Sequence, residues 1–260
     1  MATATNRGRF VWYDLLTSDS ARAIEFYTKV VGWGTQVWEA PGGPSYTMWT
    51  AGGAPIGGIM PFPPSVQAGT APHWLAYVSV PDVDETAKQV AALGGKVLHQ
   101  PMSIPDVGRF MTLADPQGAV IAAYTPANPM PGTDGMKVGE FSWHELTTTD
   151  NTRAFDFYSA LFGWERRHTM DMGAMGTYQM YGDDERDFGG MFNLSPGMPA
   201  APYWMLYVTV DDADAAVERV KANGGKVMNG PMDVPGGNRV AQCMDPSGAV
   251  FAVNGFPKAG

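Results

Sequence analysis

The feature that most constrains this chain is that it says nearly the same thing twice. Residues 8–33 read GRFVWYDLLTSDSARAIEFYTKVVGW, and residues 139–164 read GEFSWHELTTTDNTRAFDFYSALFGW. Phe10/Phe141, Trp12/Trp143, Asp19/Asp150, Arg22/Arg153, Phe26/Phe157, Tyr27/Tyr158, Gly32/Gly163 and Trp33/Trp164 are identical at a constant spacing. The match resumes at Ala71/Ala201, one residue closer, and runs through Gly94-Gly95-Lys96-Val97 against Gly224-Gly225-Lys226-Val227 and Asp115-Pro116 against Asp245-Pro246. Solenoid repeats recur every ~20–50 residues, so copies this long are domain-sized units. Two similar units imply two similar pockets or one pseudo-symmetric pair, and positions where the copies differ mark specialisation.

Within each copy the order of elements is legible. A strand over Arg9–Leu16 meets Thr17-Ser18-Asp19, where Ser or Asp suits a helix N-cap. Ile24, Tyr27 and Val31 follow at helical spacing, and Gly32 stops the helix. Segments rich in β-formers occupy Thr35–Glu39, Ser45–Thr50 and Ile56–Met60, separated by Gly- and Pro-containing turns. After a Pro-rich connector, Pro61–Pro72, the pattern returns: strand Trp74–Val80, helix Val83–Leu93, then strands Lys96–His99, Arg109–Leu113 and Ala119–Tyr124, with Asp115-Pro116-Gln117-Gly118 as a tight turn. Each half is therefore two β-α-β-β-β modules. The expected domains are 1–126 and 138–260, joined by a linker over 127–137.

Composition excludes several functions. A net charge of −9 with no basic run argues against a nucleic-acid partner. No apolar stretch approaches the ~20 residues of a membrane span, and the N-terminal MATATNRGRF has no signal-peptide core, so a cytoplasmic protein without a membrane partner is expected. Cys243 is the single cysteine, which rules out an intrachain disulfide; a packed, inert thiol is expected. A homo-oligomer stays open.

Four β-α-β-β-β modules, with FYTKVVGW and FYSALFGW closing the first helices and DPQGAV and DPSGAV preceding the last strands, resemble the vicinal oxygen chelate superfamily. That superfamily includes glyoxalases, bleomycin-resistance proteins and extradiol dioxygenases, and the chain is most similar to its double-domain, glyoxalase-like, hydroxylase-type members. The resemblance implies an α+β fold of two tandem domains, each a cup-shaped mixed sheet with helices outside. Metal-using members carry a His, Gln or Glu on each of several strands facing into the cup. Those positions fall here on Trp12 and Trp143, within Gly57-Gly58 and Gly189-Gly190, on Leu75 and Met205, and on Ala122 and Ala252. None is a donor that a divalent cation takes, so no metal and no cofactor are expected.

The remaining candidates follow from strand alternation. Asp14 and Glu145 lie two residues beyond Trp12 and Trp143, hence on the same face. Each is either an acid–base group, a carboxylate satisfied by backbone amides or an arginine, or one simply at the rim. Arg109 and Arg239 match, and suit either an anionic ligand group or an ion pair with those acids. Tyr46/Tyr178 and Tyr77/Tyr207 would give each cup an aromatic lining, with Gly58 and Gly190 leaving room for a ligand. His144, the counterpart of Tyr13, is expected to point away from the cup, at solvent or an interface. The resulting reading is a protein that binds a small aromatic or apolar molecule in metal-free cups. The alternative is an enzyme, a lyase, isomerase, hydroxylase or dioxygenase, using an atypical metal site or Asp14/Glu145 chemistry.

Overall fold

A computed structural model of the protein describes residues 7–39, 45–63, 66, 69–128, 135, 137–173, 176–195 and 201–257. Most of the expected linker, residues 129–134 and 136, lies outside them, as do residues 1–6 of the N-terminal MATATNRGRF and 64, 65, 67 and 68 of the connector. The first half contains β1 (Phe10–Leu16), α1 (Ser20–Val30), β2 (Gly34–Glu39), β3 (Ser45–Ala51), β4 (Ala54–Met60), β5 (His73–Ser79), α2 (Val83–Ala92), β6 (Lys96–Ile104), β7 (Gly108–Ala114) and β8 (Val120–Pro126). The second repeats this order as β9 (Phe141–Thr148), α3 (Asn151–Phe162), β10 (Glu165–Asp171), β11 (Thr177–Gly182), β12 (Asp187–Asn193), β13 (Tyr203–Val210), α4 (Ala213–Ala222), β14 (Lys226–Asp233), β15 (Arg239–Met244) and β16 (Val250–Gly255). The fold is α+β: each half forms one eight-stranded mixed sheet with two helices, ordered β2-β3-β4-β1-β5-β8-β7-β6 and β10-β11-β12-β9-β13-β16-β15-β14.

The local chemistry explains the boundaries. Asp19, Asp82, Asp150 and Asp212 each cap a helix, their carboxylates accepting backbone N–H groups of the first turn. Gly163 ends α3 in the left-handed conformation that lacks a Cβ penalty. Strand β6 continues past the expected stop at His99, because the extra residues around Pro101 are taken up where the β6–β7 register shifts between His99 and Met102. Pro has no N–H to donate, and an edge strand with a bulge tolerates it.

Hydrogen-bonded sheets follow the halves of the sequence, whereas the compact units draw on both. One unit comprises Met1–Val11, Ala76–Gly132 and Trp143–Met205; the other comprises Trp12–Leu75, Thr133–Ser142 and Leu206–Gly260. In the second unit Tyr27, Trp33, Trp49, Trp74 and Phe141 form one aromatic cluster. The Trp33 indole donates to the Gly139 carbonyl at 2.8 Å. The Tyr27 hydroxyl accepts from Trp74 Nε1 at 2.9 Å and donates to Asp245 Oδ2 at 3.3 Å. The first unit makes the same bonds with the halves exchanged: Trp164 Nε1 to the Gly8 carbonyl, Trp204 to Tyr158, and Tyr158 to Asp115. Asp115 and Asp245 each also accept three backbone N–H groups of their own turn. The Phe-Tyr, Gly-Trp and Asp-Pro motifs are thus one device that ties each half's first module to the other half.

Candidate functional site

In strand β1 alternation puts Trp12 and Asp14 on one face, and their side chains meet: Trp12 Nε1 lies 3.1 Å from Asp14 Oδ1. The Tyr46 hydroxyl, from β3, completes the group. It accepts from Trp12 Nε1 at 2.9 Å and donates to Asp14 Oδ1. Asp14 is buried, while Trp12 and Tyr46 remain half-exposed, so the cluster has a solvent-facing side. Burial, and then the Asp14 charge, hold the Tyr46 phenol well above its ordinary pKa, so it stays a donor to the carboxylate.

The second half builds the same cluster with a longer acid. Trp143 Nε1 donates to the Tyr178 hydroxyl at 2.8 Å, and that hydroxyl donates to Glu145 Oε2 at 2.9 Å. Glu145 is buried and Trp143 half-exposed. The parallel registers β1–β4 and β9–β12 set Asp14 beside Gly58 and Glu145 beside Gly190. A methyl group at Gly58 would fall on the Tyr46 ring, and one at Gly190 on the Tyr178 ring. These glycines therefore make room, and a tyrosine of the same half occupies it.

The other expected residues have different neighbours. Tyr77 lies against Phe110, with ring centroids 5.9 Å apart, and Tyr207 accepts from Gln242 Nε2 at 3.1 Å. Arg109 forks onto Asp84 at the start of α2 at 2.7 and 2.8 Å. Arg239 Nε donates to both oxygens of Asp214 at the start of α4, at 3.1 and 3.0 Å, and its Nη1 donates to Asp233 at 2.8 Å. These matched arginines clamp a helix N-terminus to its sheet. Of the two places expected for His144, solvent or an interface, it does not take the solvent one: it is buried, stacked on Phe10 of the other half at 3.6 Å, with Nδ1 2.9 Å from the Phe188 carbonyl. A carbonyl only accepts, so Nδ1 carries the hydrogen. Burial drives its pKa down to about 3. Cys243 is buried, and burial pushes its thiol up to about 12, the environment of an inert cysteine.

The residues present do not fit a divalent metal of the kind other members of the resembling superfamily hold. Indole N–H groups at Trp12 and Trp143 have no lone pair to offer, tyrosine rings fill the space beside Gly58 and Gly190, and Leu75, Met205, Ala122 and Ala252 supply no donor. Among the described residues no three His, Cys, Asp or Glu side chains gather where they could hold a metal ion.

The pattern of the Glyoxalase/Bleomycin resistance protein/Dioxygenase superfamily matches residues 9–123 and again 140–253. "Putative glyoxylase CFP32" of Mycobacterium bovis is 35% identical over 244 residues, covering 93% of this chain and 92% of that protein. "Anthracycline biosynthesis protein DnrV" of Streptomyces peucetius is 32% identical over 268 residues, covering 97% and 96%. Among solved structures, the Mn(II)-bound glyoxalase from Novosphingobium aromaticivorans superposes with a TM-score of 0.66 at 15% identity, over 96% of this chain and 83% of that one. The 2,3-dioxygenase LapB from Pseudomonas sp. KL28 gives 0.66 at 12% identity, over 97% and 94%. At such identities the superpositions establish the fold alone. No helix among the described residues is long and apolar enough to cross a membrane.

Proposed function

We propose, from the premise that this chain belongs to the glyoxalase/bleomycin resistance protein/dioxygenase superfamily, that it binds a planar aromatic small molecule at its two Trp–Tyr–carboxylate clusters, without a metal at the superfamily's ligand positions. The observation that carries this reading is the duplicated cluster itself. Each half sets a half-exposed indole beside a buried carboxylate through a bridging phenol. An indole face takes a flat ring, and the nearby carboxylate favours a ligand hydroxyl or cationic amine; a cation over such a face gains ~0.5–2 kcal/mol. The likeness to a protein named for anthracycline biosynthesis supports a polycyclic, oxygenated ligand.

Tryptophan fluorescence tests the ligand class. Trp33, Trp49, Trp74, Trp164 and Trp204 are buried, so contact quenching reports on the half-exposed Trp12, Trp38 and Trp143. An anthracycline and smaller hydroxylated aromatics should quench saturably, with or without chelator, whereas aliphatic alcohols of similar size should not. Quenching that is absent, or that needs added divalent metal, would overturn the reading.

A second reading rests on the phenol–carboxylate pairs. A carboxylate hydrogen-bonded to a phenol and reached past an indole is arranged to take a proton from a bound ligand, which is an enzyme's chemistry. Asp14→Asn and Glu145→Gln separate the two. Pure binding proteins with those changes lose some affinity, whereas an enzyme keeps affinity and loses turnover.

A further inference from the structure

The two halves agree at their Trp–Tyr–carboxylate clusters and diverge on their second modules, and the divergence has one chemical sense. In the first unit the ladders align Tyr77 with Ala122, Ala122 with Thr112, and Thr112 with His99, as a row across β5, β8, β7 and β6. Beside that row Phe110 lies between two rings. It is 5.9 Å from Tyr77 and 6.0 Å from His99, the latter ring stacked nearly parallel at 4°. This face is aromatic.

The matching row in the second unit runs Tyr207, Ala252, Gln242 and Asn229 across β13, β16, β15 and β14. Tyr and Ala are retained, but Thr112 is replaced by Gln242, His99 by Asn229 and Phe110 by Val240. Around it Val11, Gly108 and Tyr124 give way to Ser142, Asn238 and Asn254. These newcomers form two hydrogen-bonded groups. Gln242 Nε2 donates to the Tyr207 hydroxyl at 3.1 Å. Asn238 Nδ2 donates to Asn254 Oδ1 at 2.8 Å, and Asn254 Nδ2 donates to Ser142 Oγ at 3.0 Å. Ser142, Asn238, Gln242 and Asn254 are all half-buried, so they combine defined geometry with access to solvent.

We propose that this amide row is a second kind of ligand site, which recognises a neutral, oxygenated edge: adjacent carbonyl and hydroxyl groups on a ring. A carboxamide carries two N–H donors and a carbonyl with two lone pairs, so the bonds just given engage only part of the capacity of Asn238 and Asn254, and the rest complements an edge that both donates and accepts. The amides carry no net charge to compensate an ionised ligand group, which favours neutral hydroxyls and carbonyls. Several such substitutions on one face exceed what knitting a sheet requires, because the first half holds the same ladder with none of them. The inference draws on the proposed function only for the ring-bearing class of the ligand.

Two soluble probes of one ring system test it: a 1,2-dihydroxyanthraquinone sulfonate and the anthraquinone sulfonate lacking hydroxyls. Both are titrated into the full ¹⁵N-labelled chain and followed by ¹H–¹⁵N correlation. Side-chain NH₂ signals of Gln242 and Asn254, assigned by their loss in Gln242→Leu and Asn254→Leu, should shift with the dihydroxy probe and stay still with the other. Calorimetry should show the dihydroxy probe losing about tenfold in affinity at one site in either variant, the effect of removing one good hydrogen bond from a ligand. Unmoved NH₂ signals, or unchanged affinity in variants whose melting temperature matches wild type, overturn the amide row. Indole N–H signals of Trp12 and Trp143 in the same spectra report separately on the Trp–Tyr–carboxylate clusters. Moving indoles with still amides leave that reading standing and remove this one.

Discussion

Lowering the pH should cost this protein stability through His144. The imidazole is buried with a pKa of about 3, against an ordinary value of 6.5 in the unfolded chain. Folded protein therefore keeps it neutral while the unfolded chain takes up a proton. The folded pKa is the lower one, so the stability it carries is present above pH 6.5 and is lost as pH falls towards 3. At pH 5 the linkage amounts to about 2 kcal/mol, from about 1.4 kcal/mol per pH unit below 6.5. The repeat supplies the control: position 13, equivalent to 144, holds a tyrosine stacked on Phe141 at 4.0 Å, as His144 stacks on Phe10. His144→Tyr should therefore fit while losing the titration, although it forfeits the hydrogen bond to the Phe188 carbonyl. Urea unfolding at pH 7.5 and 5.0 measures the difference within each protein, which cancels any constant cost of the substitution. Wild type should lose about 2 kcal/mol more than the variant over that interval. Equal losses would refute the assignment of a neutral, buried imidazole.

Three further outcomes follow from the same geometry. Gly58→Ala places a methyl on the Tyr46 ring; it should displace the phenol, cost roughly 1–3 kcal/mol in urea unfolding and weaken aromatic-ligand binding at that half only. Tyr27→Phe leaves Trp74 Nε1 and Asp245 Oδ2 without their shared partner, and calorimetric melting should report a loss of roughly 2–3 kcal/mol. Arg109→Ala breaks an exposed ion pair with Asp84, so its melting temperature should stay within about a degree of wild type, the behaviour of surface pairs.

The fold was legible because its determinants are local and stated twice. Aspartate caps, the glycine helix stops and the Asp-Pro turns occur at the same places in both halves and leave little choice of elements. What the Phe-Tyr and Asp-Pro motifs do to each other was not legible, since Tyr27 bonds Asp245 and Tyr158 bonds Asp115 across the two halves. No periodicity encodes a partner that distant. Alternation correctly put Trp12 with Asp14 on one face. The room expected for a ligand at Gly58 instead holds the Tyr46 ring, which folds in from the neighbouring strand, a choice that alternation does not encode. His144 was expected away from the cup, at solvent or an interface, because neighbours in a strand alternate faces; alternation names no partner, and the ring it meets is Phe10 of the other half, with the Phe188 carbonyl accepting from Nδ1.

Isothermal titration of chelator-treated protein with an anthracycline, comparing wild type with Trp12→Ala, Trp143→Ala and the double variant, addresses the central claim most directly. The account predicts saturable binding without metal, loss of one class of site in each single variant, and loss of both cluster sites in the double variant, with melting temperatures confirming that each still folds. Binding by the double variant equal to that of wild type, or binding that appears only when a divalent metal is added, would contradict it.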